Sequence, residues 1–441
     1  MSRTLEPVSR PGRLGRRTLV AARRSSAIAG GSATTPALAS TPDLASTPAL
    51  ASTPAPVPPP SARPRLVLTV TSAGSLPLMR GFPEHLQRSG WDVHVVTGPG
   101  VDLDALAEVV GGAHAVPMRR DPSPVGDARA LAAWVRLLRR LRPDAVLAAT
   151  PKAALLGLVA ARLTGVPVRV YHLWGLRLET TTGLLRRVLT LTERATARAA
   201  THILSVSASL SAEFAGAGLA GPRAVDMIGR GSSSGVDTKH FDPSLVRLSE
   251  VRQAARAARL EPDRFVVGYV GRITPDKGLD TLDAAMRILA EDGVRACLLV
   301  VGEEDVADYD PFTVPHVHRA GRVEDPRPYY RLMDVLCLPT LREGMPNVCL
   351  EAAAMEIPVV TTTATGAVDS IADGETGLLV PPGDPAELAR ALRALHHDPA
   401  LARRTGAAGR RWTRTHFSRP DLWAGHDEYL RRQLPKEGHV R

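Results

Sequence analysis

Cysteine is nearly absent. Cys297, Cys337 and Cys349 are the three in 441 residues, too few for a disulfide framework or a cysteine-rich zinc site. Long apolar runs are missing as well. The longest, Ala153 to Ala161, falls far short of the ~18–20 residues that span a bilayer. Thr18–Ala22, between pairs of arginines, is shorter than the ~7–15 residue core of a signal peptide. The expectation is a cytoplasmic protein. Aromatics are 4% of the chain, and lysine is confined to Lys152, Lys239, Lys277 and Lys436, leaving 51 of the 55 basic residues as arginine. That bias reads as genomic composition first and as phosphate chemistry second.

The charge is uneven. Residues 1–65 carry nine arginines against Glu6 and Asp43, so most of the formal +10 belongs to this stretch. The body is close to neutral, which argues against nucleic acid as a partner. Residues 1–64 repeat Ala-Ser-Thr-Pro with a period of six and then run into Pro58–Pro60. Such a composition buries too little apolar surface to offset backbone entropy, and a disordered tail is expected.

From Arg65 the pattern changes. Leu66–Thr71, Trp91–Thr97, Asp144–Ala149, Pro167–Tyr171 and Thr201–Val206 read as strands, with helical patterns between them over 78–89, 127–141, 153–164 and 183–200. A second series follows, with strands Phe265–Val270, Ala296–Val301, Val335–Leu338, Val359–Thr362 and Gly377–Val380. Its helices are expected over 279–292, 347–354 and 385–397, and after Pro420. Strands alternating with helices imply an α/β protein with parallel sheets. Two Rossmann-like halves are expected, over 65–225 and 226–418, joined by the Gly/Ser/Pro-rich hinge Gly221–Asp242 and facing a central cleft. Residues 419–441 are expected to form a helix that packs back towards the first half. Open sheets of this kind bind ligands at the carboxyl ends of their strands.

Two segments carry chemistry. Glu343-Gly-Met-Pro-Asn-Val-Cys-Leu-Glu351 follows a strand and runs into a helix near Asn347. At ~1.5 Å per residue the two carboxylates stand ~10 Å apart, a separation that suits the two ends of a nucleotide sugar. A carboxylate accepts two hydroxyl hydrogen bonds, and the free amides of Gly344, Met345 and Asn347, on either side of Pro346, can meet a diphosphate. Gly271-Arg272-Ile-Thr-Pro-Asp-Lys277-Gly278 follows another strand directly. An arginine fork and a lysine point charge between glycines form a phosphate clamp that can stabilise a departing diphosphate.

Together these features resemble the retaining GT-B glycosyltransferases of family 4, over about residues 65–432. Thr150-Pro151-Lys152-Ala153, Gly175-Leu176-Arg177-Leu178-Glu179 and Gly231-Ser-Ser-Ser-Gly235-Val236-Asp237 resemble its capsular-polysaccharide and lipid-linked oligosaccharide branch. The resemblance implies transfer of a hexose or N-acetylhexosamine from a UDP-sugar to a polyprenyl-diphosphate-linked glycan, with retention and with no metal or other cofactor. Glu351 would hold the ribose hydroxyls, and Glu343 with the amides of 344–347 the donor sugar. Arg272 and Lys277 would hold the diphosphate, and Gly74 would let the backbone approach it. Lys152, Arg177 and Glu179 would lie on the acceptor side. Where relatives often carry a histidine facing the donor sugar, this chain has Trp174. His172, two residues earlier on the same strand face, is the candidate substitute and also reads as a structural histidine.

Other signals are discounted. Asp102-Leu-Asp104 and Asp308-Tyr-Asp310 match the metal-binding Asp-x-Asp of the other glycosyltransferase fold, but neither follows a suitable strand. Gly229-Arg-Gly231 with Gly235 imitates a dinucleotide loop, with no helix behind it. His396-His397 reads as a solvated helix end. The stretch 183–200 mixes leucines with Arg186, Arg187, Arg194 and Arg198, a basic amphipathic pattern that can lie on an anionic membrane, so the protein could sit peripherally on the inner face of the cell membrane. Two alternatives stand beside transfer: a UDP-N-acetylglucosamine 2-epimerase-like enzyme, and a non-catalytic nucleotide-sugar-binding subunit.

Overall fold

The structure is a computed structural model and describes residues 63–100, 102–119, 123–306 and 309–435. The expected tail over 1–64 lies outside the described residues apart from its last two, as do Asp308, the side chains of Asp102 and Asp104, and the last six residues of the C-terminal segment.

The first half is a seven-stranded parallel sheet. Its strands are β1 (Arg65–Thr69), β2 (Asp92–Thr97), β3 (Gly112–Ala115), β4 (Ala145–Ala149), β5 (Val168–Leu173), β6 (His202–Ser205) and β7 (Val225–Met227), in the order β3-β2-β1-β4-β5-β6-β7. The second half is a six-stranded parallel sheet of β8 (Phe265–Val270), β9 (Ala296–Val301), β10 (Val317–Gly321), β11 (Val335–Leu338), β12 (Val359–Thr362) and β13 (Gly377–Val380), in the order β10-β9-β8-β11-β12-β13. The central strands are apolar on both faces because helices cover both. Leu66, Leu68 and Val70 enter one core cluster, whereas Val67 enters the other, as the two-residue period of a strand requires.

The C-terminal helix Arg419–Gln433 packs on the first half. Trp91 is fully buried, and its Nε1 donates to Asp427 at 2.6 Å; an indole so buried needs an acceptor for its one donor. Tyr429 donates to Asp226 at 2.7 Å, and Trp423 tilts against Phe82.

The structure adds to the sequence reading in three places. The segment 221–242, expected as a hinge, is tied down at two points: β7 pairs with β6, and Val236 bridges to Ser418. The edge strands β3 and β10 lack the long β-branched runs that mark the central strands. The helix Pro399–His416, absent from the sequence reading, buries Thr405, Gly406, Gly409 and Thr413 in place of an apolar stripe. It packs so closely that a Cβ at Gly406 would meet the Glu356 carbonyl oxygen at 2.3 Å.

Candidate active site

Strand order reverses around β1 in the first sheet and around β8 in the second. Ligands of open α/β sheets bind outside the strand ends at such points. The loops leaving β1, β5, β8 and β11 carry Gly74, Arg177, Glu179, Arg272, Lys277 and 343–346; Lys152 lies in the helix Pro151–Leu163 behind β4, Asn347 and Glu351 lie in the helix behind β11, and His172 lies in β5 itself.

In the second half, the turn after β8 and the loop after β11 are tied together. Leu341 N–H donates to the Asp276 carbonyl at 2.9 Å, and Arg342 pairs with the Asp276 carboxylate at 3.1 Å. This brings Lys277 Nζ to 2.5 Å from Glu343 Oε1, with both side chains largely enclosed. Arg272 is half exposed and ion-paired to Asp305, and its carbonyl accepts from Tyr269 Oη at 2.6 Å. The helix Asn347–Ala354 opens on Pro346, and no side chain caps its first amides, which leaves those donors for a ligand. Asn347 Oδ1 faces Ser232 Oγ at 3.5 Å. Glu351 lies one turn inside the helix and accepts from Tyr330 Oη at 3.0 Å. Burial pushes its carboxyl up to about 7, while the Tyr330 hydrogen bond and the Arg419 charge pull it back.

The first half supplies the facing lip. A Cβ on Gly344 would stand 2.0 Å from the Trp174 carbonyl oxygen, so only glycine fits where the two lips touch. Gly74 differs: a Cβ there would meet nothing of the protein closer than Ser72 Oγ at 3.4 Å. The space beside it is open. Arg342 Nε crosses to Thr180 Oγ1 at 2.8 Å, and Glu179 is hydrogen-bonded by Thr365. Glu179, expected on the acceptor side, thus joins the two lips, while Arg177 stays exposed. Lys152 Nζ is held by Asp127 at 2.6 Å and is nearly enclosed.

Of the two readings of His172, the structure matches the structural one. The ring is 2% exposed, Nδ1 accepts from Trp174 Nε1 at 3.0 Å, and His426 of the C-terminal helix lies 5.2 Å away. Burial, with His426 beside it, pushes its pKa well below the usual histidine value. It is a neutral packing residue that orients Trp174.

Comparison with known proteins places this geometry. The family described as glycosyl transferases group 1 matches residues 264–398, and the glycosyl transferase 4-like domain matches residues 77–231. The capsular polysaccharide biosynthesis glycosyltransferase CapM of Staphylococcus aureus is 37% identical over 361 residues, covering 80% of this chain and 93% of its own. The chain belongs to the group 1 glycosyltransferases. A GDP-mannose-dependent alpha-mannosyltransferase of Mycobacterium tuberculosis is 32% identical over 352 residues, covering 75% of this chain and 86% of its own. Among solved structures, Anabaena HepE in complex with UDP and glucose superposes with a TM-score of 0.68 at 19% identity, covering 83% of this chain and 99% of that one. That likeness establishes the GT-B fold.

Some contacts of this glycosyltransferase have no local sequence signal. Ser209 donates from N to Asp369 Oδ2 at 2.9 Å and from Oγ to the same oxygen at 2.5 Å, while its Oγ accepts from Gly366 N–H at 2.7 Å. These bonds join the two halves across about 160 residues of sequence. Tyr330 beneath Glu351 was likewise unmarked; its only trace is an aromatic pair in a polar segment.

Proposed function

We propose that the protein transfers a hexose or N-acetylhexosamine from a UDP-sugar to a polyprenyl-diphosphate-linked glycan in capsular polysaccharide assembly, with retention. The observation that carries this reading is the Lys277–Glu343 pair at the mouth of the uncapped Asn347–Ala354 helix, with Glu351 one turn further in. Glu351 takes the ribose hydroxyls. Glu343 and the amides of Gly344, Met345 and Asn347 take the sugar, and Lys277 and Arg272 take the diphosphate. The bond from the anomeric carbon to the diphosphate oxygen breaks as the bond to the acceptor oxygen forms. The acceptor's proton passes to the departing phosphate, so attack and departure share one face. Lys277 neutralises Glu343, which supports a binding role for that carboxylate over a nucleophilic one. The cationic clamp and the helix amides meet the leaving charge without a bound metal. The CapM relative supports the polysaccharide assignment, and the HepE complex supports UDP.

The acceptor half faces an anionic membrane. No helix among the described residues is long and apolar enough to cross one, but the helix Gly183–Ala199 leaves Leu184 76% and Leu191 64% exposed among its arginines.

The test is a thermal-shift series with UDP, GDP and ADP, followed by a donor screen on a polyprenyl-diphosphate-linked sugar read by mass spectrometry. UDP at 100 times its Kd stabilises by about 2.7 kcal/mol. We expect this shift with UDP and its loss in Glu351→Ala. A shift with GDP alone would replace the donor with that of the GDP-mannose-dependent relative. No shift with any nucleotide would sink the reading.

A further inference from the structure

The start of the C-terminal helix holds a cation that the scheme above does not use. Arg419 opens the C-terminal helix, and its backbone N–H donates to the Val236 carbonyl at 3.0 Å. Its side chain is 25% exposed. A guanidinium presents five donors, yet this one makes no side-chain hydrogen bond among the described residues, and its Nε is wholly buried without an acceptor. The Asp237 carboxylate lies 4.0 Å away, too far for a hydrogen bond. The Trp423 ring, 5.6 Å from Cζ, closes one side.

Two other enclosed guanidinium groups are satisfied. Arg410 donates to the Ala354 carbonyl and to Asp242, each at 2.6 Å. Arg169 donates to the carbonyls of Ala199 and Val166 at 2.7 and 2.5 Å. Leaving such donors unmet costs free energy, so Arg419 is an incomplete site. Two further groups act on it through space. Glu351, in the helix behind β11, favours its charge, and Arg80 opposes it. Arg80 is exposed. It follows the short helical turn Ala73–Met79 in the loop after β1, and its side chain has no hydrogen bond or ion pair among the described residues. Arg80 reaches the same place through its neighbours: Gly81 and Phe82 pack against Trp423, the ring that closes one side of Arg419. By contrast, Arg272 and Lys277 already hold carboxylates, whereas an anion on Arg419 and Arg80 competes only with the loose 4.0 Å pairing to Asp237.

We infer that Arg419 and Arg80 form a second anion clamp, and that its ligand is a diphosphate. The inference rests on the proposed seat of the ribose at Glu351, because a nucleotide's first phosphate is one methylene group from its ribose. The diphosphate of the nucleotide sugar and that of the lipid-linked acceptor share the required chemistry, and the test separates them.

The full chain and its Arg419→Gln and Arg80→Gln variants are titrated calorimetrically with UDP, uridine, inorganic pyrophosphate and farnesyl diphosphate. Losing a charge-assisted hydrogen-bond set weakens binding by about ten- to hundredfold. We expect that loss for UDP with uridine unchanged, and partial recovery in Arg419→Lys, which restores the charge without the fork. Loss for farnesyl diphosphate with UDP unchanged assigns the clamp to the acceptor. Unchanged binding of UDP, pyrophosphate and farnesyl diphosphate in both variants overturns the inference. If the native chain binds pyrophosphate but not UDP, and Arg419→Gln loses it, the clamp stands and the nucleotide reading at Glu351 falls. If the native chain binds none of the three diphosphates, both fall. Arg80 is exposed, so its variant keeps the test alive should Arg419→Gln fail to fold.

Discussion

Glu351 concentrates the residue-scale argument. Burial raises its carboxyl to about 7, and Tyr330 donates to it. Only the ionised form accepts from both hydroxyls of a ribose without offering a competing proton. UDP binding by the native chain should therefore strengthen as pH rises from 6 to 8, relative to the same series in Glu351→Gln. The variant is the control for the titration of the phosphate itself, and parallel curves would remove Glu351 from the ribose site. The sign for stability is the reverse. A carboxyl whose folded pKa exceeds its unfolded value contributes fully below the unfolded value and loses that contribution as pH rises through about 7. Nucleotide binding thus improves over the range in which the bare site weakens. Gly344 makes a sterically simpler case. Gly344→Ala drives a methyl into the Trp174 carbonyl, and overpacking of this kind costs about 1–3 kcal/mol. We expect a lower denaturant midpoint and a parted cleft. An unchanged midpoint would mean that the two lips do not touch in solution.

At the scale of elements, legibility followed local chemistry. The strands β8, β9, β11, β12 and β13 stand out as short apolar, β-branched runs, and Glu343–Glu351 stands out as a loop-to-helix passage. Elements whose stability comes from close approach were silent: the Thr/Gly face of Pro399–His416 looks polar, and the edge strand β3 is built of small residues. Contacts between distant segments were silent too, since nothing near Ser209 announces Asp369, and nothing near Arg419 announces Arg80. His172 stayed open between two readings for a related reason: strand periodicity gives the face but not what covers it, and here the cover is the C-terminal helix. The helix Gly183–Ala199 was legible as amphipathic, but its anchor was not. Glu193 is buried and accepts from Tyr171 Oη at 2.7 Å. Burial lifts its carboxyl to about 7, and the Tyr171 bond pulls it back. Its contribution to stability is complete below the usual carboxylate range and is lost as pH rises through about 7. Thermal midpoints of the native chain and Glu193→Gln should therefore diverge between pH 5 and 8, in favour of the variant at the alkaline end. A pH-independent difference would mean that Glu193 is already ionised in the fold.

At the scale of the molecule, the first half has one strongly cationic side. The helices Pro124–Leu141, Pro151–Leu163 and Gly183–Ala199 pack side by side on the same side of the sheet. They expose Arg129, Arg136, Arg139 and Arg140 on the first, Arg162 on the second, and Arg186, Arg187 and Arg198 on the third. Their two carboxylates are withdrawn, Asp127 onto Lys152 and Glu193 onto Tyr171. Leu163, Leu184 and Leu191 stand out from this layer, each more than 60% exposed. Arginines draw a protein to anionic lipid by about 1 kcal/mol each near the surface, and exposed leucines add burial in the headgroup region. Removing two charges, as in the Arg187→Gln/Arg198→Gln double variant, should therefore weaken partitioning onto vesicles by about 2 kcal/mol, or roughly thirtyfold. Co-sedimentation with vesicles of phosphatidylglycerol and phosphatidylcholine measures it. Binding should vanish on phosphatidylcholine alone and fall as added salt shortens the screening length. Leu184→Ser/Leu191→Ser should weaken binding while leaving its salt dependence intact, because it removes the apolar contribution and none of the charge. Equal binding to neutral vesicles, or a double arginine variant that binds like the native chain, would take the membrane away from this face and leave the acceptor to reach the cleft from solution.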